Sequence, residues 1–321
     1  MTGWIERPEI GGAWALRLMH RFALLCGRRA ARLALWPVAL YYLARRGPER
    51  RASRAYLARV LDGPPRIWHP ALHAWHFAAV TLDRIYLLAE RFKRFDIQCE
   101  GLQALREWMA LDRGVLLLGA HVGSFDALRA LSMQQPDIPV RAVIDTAQSP
   151  VLSALLAELN PQLARAIIDP RKDGVSTALA IKEALDQKSL VTMMADRARP
   201  GDATIDAEFL GSPAPFPTAP WLLAAALEVP VVLCFGLYRG GNRYHLRFEP
   251  FAERLEIPRA RREACLAAIV QRYADRVAHQ VRGAPYNWFN FYDFWLPQDS
   301  PGTPARSGAR PGVAGDVRRS A

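Results

Sequence analysis

Short, largely apolar runs recur along the middle of this chain: Val115–Leu118, Val140–Ile144, Ala166–Ile168, Leu190–Met194 and Val231–Tyr238. A strand covered on both faces has no side for polar residues, so it reads as a brief apolar run, not as an alternation. Helical stretches separate these runs: Ser124–Met133, Val151–Leu159, Val175–Gln187 and Pro220–Leu227. Strand and helix in turn predict an α/β fold, a mixed, mainly parallel sheet flanked by helices with right-handed crossovers. Tyr244–Phe248 alternates instead, and the turn Arg239-Gly240-Gly241-Asn242 before it predicts a hairpin with the preceding strand. Ile257–Val281 reads as a last helix. Ahead of Leu111 the chain reads as helices: Trp14–Cys26, Arg50–Leu61 and His69–Phe92, punctuated by Gly47-Pro48 and Gly63-Pro64-Pro65.

Charge divides the 321 residues into three. Residues 1–66 carry 13 Arg against 4 acidic residues, residues 67–297 carry 25 basic and 25 acidic, and the tail 298–321 carries 4 Arg and 2 Asp. A nucleic-acid enzyme bears its basic surface on the body that does the work, so the neutral body argues against nucleic acid. Within the basic N-terminus, Leu33–Ala44 holds twelve mostly apolar residues between Arg28, Arg29, Arg32 and Arg45, Arg46. A membrane span needs about 20 such residues, and Pro37 with no small-residue cleavage site fits a signal peptide poorly. The segment is expected to lie in a membrane interface, with Trp36, Tyr41 and Tyr42 at headgroup depth and the arginines on lipid phosphates; an ordinary buried helix with a solvated basic face is the alternative. The expected organisation is a membrane-associating layer (1–66), a catalytic domain (67–297) and a disordered tail (298–321). The four scattered cysteines fit a reducing compartment, with Cys234 a small core residue.

The first apolar run leads into Gly119-Ala120-His121-Val122-Gly123-Ser124-Phe125-Asp126. His121 falls at the carboxyl end of a buried strand, the edge at which open α/β sheets bind ligands. Gly123 and Ser124 turn the chain, and Asp126 enters the first turn of the next helix. The H-x4-D spacing lets a carboxylate reach back to one ring nitrogen of His121 and leaves the other to take a proton from a hydroxyl. Asp126 in a first helical turn also has a plain stabilising role, worth about 0.3–1 kcal/mol.

With HVGSFD, further blocks follow in order: Met194-Ala195-Asp196-Arg197-Ala198-Arg199-Pro200-Gly201, Phe209-Leu210-Gly211, Phe216-Pro217-Thr218-Ala219-Pro220 and Asn287-Trp288-Phe289-Asn290-Phe291-Tyr292-Asp293-Phe294-Trp295. From about Trp68 to Trp295 the sequence resembles the lysophospholipid acyltransferase superfamily, in its bacterial branch with the late lipid A acyltransferases, and most of all acyltransferases found with aryl-polyene pigment biosynthesis. It departs in having Ala219 where the family usually has Gly. The resemblance implies a glycerolipid-acyltransferase-like fold and transfer of an acyl group from an acyl-carrier-protein or coenzyme A thioester to a hydroxyl or amine of a lipid-linked acceptor, on the cytoplasmic face of the inner membrane, with no metal or other cofactor. It implies His121 as base and Asp126 as its orienting partner, with Gly123, Ser124, Asp196, Arg197, Phe216 and Thr218 at the substrate. Asp196 is expected to orient and Arg197 to meet a phosphate or developing oxyanion. Thr218 can equally be a helix cap.

Three patterns carry less. His69, His73 and His76 share a helical face, but Pro70 interrupts them and no carboxylate is adjacent. Ser124 lacks the G-x-S-x-G setting of a hydrolase nucleophile. Arg259, Arg261 and Arg262 form either a solvated face or a dock for an acidic carrier protein. A thioesterase or lipase on the same scaffold, and a non-catalytic membrane or carrier-binding module, remain alternatives at this stage.

Overall fold

A computed structural model describes residues 25–110, 113–129, 139–145, 150–171, 174–199 and 201–295. Most of the expected helix Trp14–Cys26, the end of Ser124–Met133, Pro200 and the tail from Gln298 lie outside these residues.

The expected α/β class is found. Seven strands form one sheet in the order β1-β9-β8-β2-β5-β3-β4: β1 (Asp96–Glu100), β2 (Val115–Gly123), β3 (Val140–Val143), β4 (Ile167–Ile168), β5 (Leu190–Met194), β8 (Val231–Tyr238) and β9 (Arg243–Ala252). Every neighbouring pair is parallel except β8 with β9, the hairpin over Gly240 and Gly241. β2 and β8 lie inside the sheet, and all eight residues of β8 are buried, so both read as unbroken apolar runs. β1 was not expected. It is an edge strand whose outward residues are Asp96, Gln98 and Glu100, and edge polarity hides a strand from a search for apolar runs. A two-stranded hairpin, β6 (Thr204–Glu208) with β7 (Pro213–Pro217), was also not expected; its prolines sit where an edge tolerates the missing N–H.

Two cores cover the sheet. One joins Leu116, Leu118 and Leu233 to Trp221, Val270 and Trp288. The other joins Leu117, Val232 and Leu246 to Leu82, Ile85 and Leu87 of the helix His69–Leu88. The chain ahead of the sheet belongs to this second core: Ala31 and Leu35 are buried in it, and the helix Leu35–Arg45 packs on His69–Leu88. That short helix is apolar nearly all round. Leu35, Ala39 and Tyr42 face inward, while Leu33, Trp36, Val38, Leu40 and Tyr41 are exposed, with Ile67 and Trp68 also bare. Among the described residues no helix is long and apolar enough to cross a membrane. Cys234 is buried, and burial pushes its thiol up to about 12. Of the histidine face, His73 is held between Ser53 and the Trp288 carbonyl; among the described residues no group of three or more His, Cys, Asp or Glu is placed to hold a metal.

Candidate active site

Strand register explains how the site is assembled. Parallel β2 and β5 pair with Gly119 opposite Met194, and the Ala195 N–H donates to the Gly119 carbonyl at 2.9 Å. Two residues further along both strands come His121 and Asp196, side by side at the carboxyl edge. On its other flank, β2 loses register with β8: Gly119 pairs with Cys234, but Gly123 pairs with Gly236. Four residues of β2 thus advance against two of β8. This bulge carries His121, and bulges re-aim side chains next to binding sites. Gly123 closes it at φ +71°, so near the β8 backbone that an added Cβ would lie 2.1 Å from the Gly236 oxygen. The requirement for glycine there is conformational.

Asp196 is buried and holds His121 twice. Its Oδ1 lies 2.7 Å from His121 Nδ1 and its Oδ2 accepts from the His121 N–H at 3.0 Å. Oδ2 also accepts from the Trp288 indole at 3.2 Å. Burial pushes this carboxyl up, but His121, Arg197 and the hydrogen bonds outweigh burial and hold it well below the usual carboxylate range. An ionised carboxylate only accepts, so His121 carries its proton on Nδ1, and Nε2 has the free lone pair. The imidazole does not shift as a simple ion pair would require. Burial and the Arg197 guanidinium push it below its ordinary value, and the opposing pull of Asp196 does not restore it. Both directions favour a carboxylate facing a neutral imidazole in the resting pair.

Asp126, expected to orient His121, is paired with Arg84 in this structure instead. It opens a short 3-10 turn, Asp126–Arg129, and its Oδ2 lies 2.6 Å from Arg84 Nε, reaching in from the helix His69–Leu88. The Nδ1 and N–H of His121 are already engaged by Asp196. Asp126 nonetheless lines the same cavity as His121.

That cavity measures about 830 Å³, within the usual range for small-molecule sites of about 300–1,000 Å³. His121, Asp126, Arg84, Arg197 and Arg199 line it, and Leu117, Leu156, Ile181, Leu190 and Leu223 supply apolar wall. The His121 side chain, 34% exposed, is open on this side. Arg197 donates to the Phe289 carbonyl at 2.6 Å and lies 5.6 Å from the Tyr292 ring centre.

The remaining expected residues support the site without lining the cavity. Ser124 is buried, and its Oγ accepts from the Ala127 N–H at 3.1 Å, capping the turn that carries Asp126. Phe216 is not among the cavity's lining residues: it is fully buried against Phe209, Phe294 and Tyr273. Thr218 is the N-cap residue of the helix Ala219–Leu227, but its side chain makes no capping bond; its hydroxyl donates to the Ala203 carbonyl at 3.2 Å, tying that helix to the β6 side. The neighbours Pro217, Ala219 and Pro220 are the ones that reach the cavity. Sequence reasoning missed Arg84, whose one signal was being the sole Arg or Lys of the helix His69–Leu88, and gave Trp288 no role.

The family model of the bacterial lipid A biosynthesis acyltransferases matches residues 65–296. A comparison with curated proteins finds no match.

Proposed function

Starting from the chain's membership of the bacterial lipid A biosynthesis acyltransferase family, and so from an acyltransferase that acts on lipid acceptors, we propose how it works and where. A fatty acyl group passes from an acyl-carrier-protein or coenzyme A thioester to a hydroxyl or amine of a lipid-linked acceptor, with His121 as general base. The observation that carries this reading is the His121–Asp196 pair at 2.7 Å, which leaves Nε2 basic on the wall of a largely apolar cavity. The acceptor hydroxyl gives its proton to Nε2 as its oxygen attacks the thioester carbonyl. The tetrahedral oxyanion collapses, the C–S bond breaks, and the imidazolium returns the proton to the departing thiolate. Arg197 and Arg84 supply positive charge for the oxyanion or for a phosphate on either substrate. The acceptor classes in view are a lipid A precursor, an aryl-polyene lipid, a lysophospholipid and an aminolipid.

The test presents purified protein in mixed micelles with acyl-carrier-protein or coenzyme A bearing a labelled acyl chain, and total bacterial lipid as acceptor. Label is expected in one lipid class, and His121→Ala lowers the rate by about 10²- to 10⁴-fold. Label leaving only as free fatty acid would mark a thioesterase instead, and an undiminished rate in the variant removes His121 from the mechanism.

The same reading places the protein on the cytoplasmic face of the inner membrane as a peripheral protein. Exposed Leu33, Trp36, Val38, Leu40 and Tyr41 beside Arg29 and Arg45 support it, because aromatic and aliphatic side chains rimmed by cations suit an anionic bilayer surface. In vesicle sedimentation, Trp36→Ser with Tyr41→Ser is expected to reduce binding to anionic vesicles about tenfold or more. Equal binding by the double variant argues for another docking face.

A further inference from the structure

The segment Asn287–Trp295 ends the described chain, and the mechanism above assigns it no step. Yet it meets three parts of the site. The Phe289 N–H donates to the His121 carbonyl at 3.0 Å, and Trp288 bridges to Val122. The Phe289 carbonyl takes the Arg197 guanidinium. The Trp288 indole N–H, fully buried, donates to Asp196 Oδ2. The segment is anchored in turn. Asn287 exchanges two hydrogen bonds with the Tyr238 backbone, at 2.7 and 3.1 Å. His73 Nε2 lies 2.9 Å from the Trp288 carbonyl, and its Nδ1 lies 2.9 Å from Ser53 Oγ. A carbonyl only accepts, so His73 Nε2 carries the proton and the Ser53 hydroxyl donates to Nδ1. Burial holds His73 near 3, so this tautomer persists at neutral pH and keeps its grip on the Trp288 backbone.

We propose that Trp288 is a positioning residue for the His121–Asp196 pair, its indole N–H holding the Asp196 carboxylate in the one rotamer that presents Oδ1 to His121 Nδ1. Asp196 Oδ2 accepts the His121 N–H as well as the indole N–H, so without the indole this buried carboxylate keeps only one of the two donors on that oxygen and its charge is less compensated. Two consequences follow on removing the indole N–H. The carboxylate gains freedom to turn away from Nδ1, which lowers turnover. While it stays in place, its less compensated charge favours the imidazolium, so His121 titrates at higher pH. Because the base acts only when neutral, the acid limb of the pH–rate profile moves up with it.

Trp288→Phe removes the N–H and keeps an aromatic ring in the core; 3-benzothienylalanine at position 288 keeps the two-ring shape as well, and serves if the phenylalanine variant folds poorly. Trp221→Phe is the control, since Trp221 is equally buried but belongs to the packing against Phe251 and Tyr273. We expect Trp288→Phe to raise the His121 titration midpoint, followed by NMR of its ring carbons, by about 0.5 to 1 pH unit. At the pH plateau kcat falls about tenfold with KM within about twofold. Trp221→Phe moves neither. An unchanged His121 titration in a folded Trp288 variant overturns the proposal, as does an equal shift in the control. The proposal rests on His121 being the base, and the titration arm needs no turnover. If His121→Ala stayed active, the base assignment would fall while the NMR result still decided the role of Trp288.

Discussion

Asp196→Asn is expected to lower kcat by about 10² to 10⁴ with little change in stability. The reason is a mismatch of donors. Asp196 Oδ2 accepts two N–H groups, from the His121 backbone and the Trp288 indole, while Oδ1 meets only the His121 ring. An asparagine satisfies the two donors with its single carbonyl oxygen, which turns its NH₂ toward His121 Nδ1. The ring then holds its proton on Nε2 and no longer offers a base to the cavity. Asp126→Asn is the comparison. It removes the charge that pairs with Arg84 but leaves Asp196 and the tautomer in place, so its loss is smaller and falls mainly on KM. Steady-state kinetics on the two variants, with the ring tautomer read from the ¹⁵N shifts of His121, separates the roles. A larger kcat loss from Asp126→Asn than from Asp196→Asn would return the orienting role to the H-x4-D carboxylate.

That reassignment shows which part of the site was legible. The strands that form the carboxyl edge, Val115–Leu118 and Leu190–Met194, were readable because they are buried on both faces. His121 and Asp196 could each be placed at a strand end. What a single sequence does not carry is strand order. Only the pairing of β2 with β5, in the register Gly119 to Met194, sets residue 121 level with residue 196. Sequence proximity favoured Asp126 instead, and a spacing of five residues looked sufficient only while the bulge in β2 was unknown. The polar edge strand β1 and the proline-bearing hairpin β6–β7 were missed for a related reason: neither buries two faces, so neither yields an apolar run. Phe216 and Thr218 lie in a block shared with the family, but a block kept for packing reads the same as one kept for chemistry until burial is known.

The largest expected effect on stability lies far from the cavity. Asp83→Ala should cost about 3–5 kcal/mol, seen as a lower urea midpoint. Asp83 is fully buried, and Arg28 forks onto it with two bonds of 2.7 Å. Tyr244 donates to the same carboxylate at 2.8 Å, and Arg32 stands 3.5 Å away. Both guanidiniums also donate to the Gly241 carbonyl in the β8–β9 turn, and Arg32 reaches the Tyr238 hydroxyl. The partners gain unequally: burial raises the Asp83 carboxyl more than its partners lower it, while for Arg28 the pair outweighs burial. The intact cluster is therefore a modest contributor, whereas removing its only carboxylate strands two cations whose side chains are 12% exposed. By contrast Glu253→Gln, at a pair whose carboxylate side chain is 65% exposed, is expected to cost under about 1 kcal/mol. The Asp83 loss also has a location. The cluster ties residues 28–32, and with them the helix bearing exposed Trp36 and Tyr41, to the edge of the sheet. Trypsin should thus cut at Arg28, Arg29 and Arg32 in the folded variant well before it cuts the sheet. Vesicle binding should weaken in step with that release, because a tethered helix presents its apolar face without first being ordered. Uniform proteolysis along the chain would instead mean that the cluster stabilises the whole fold and not the attachment of this layer.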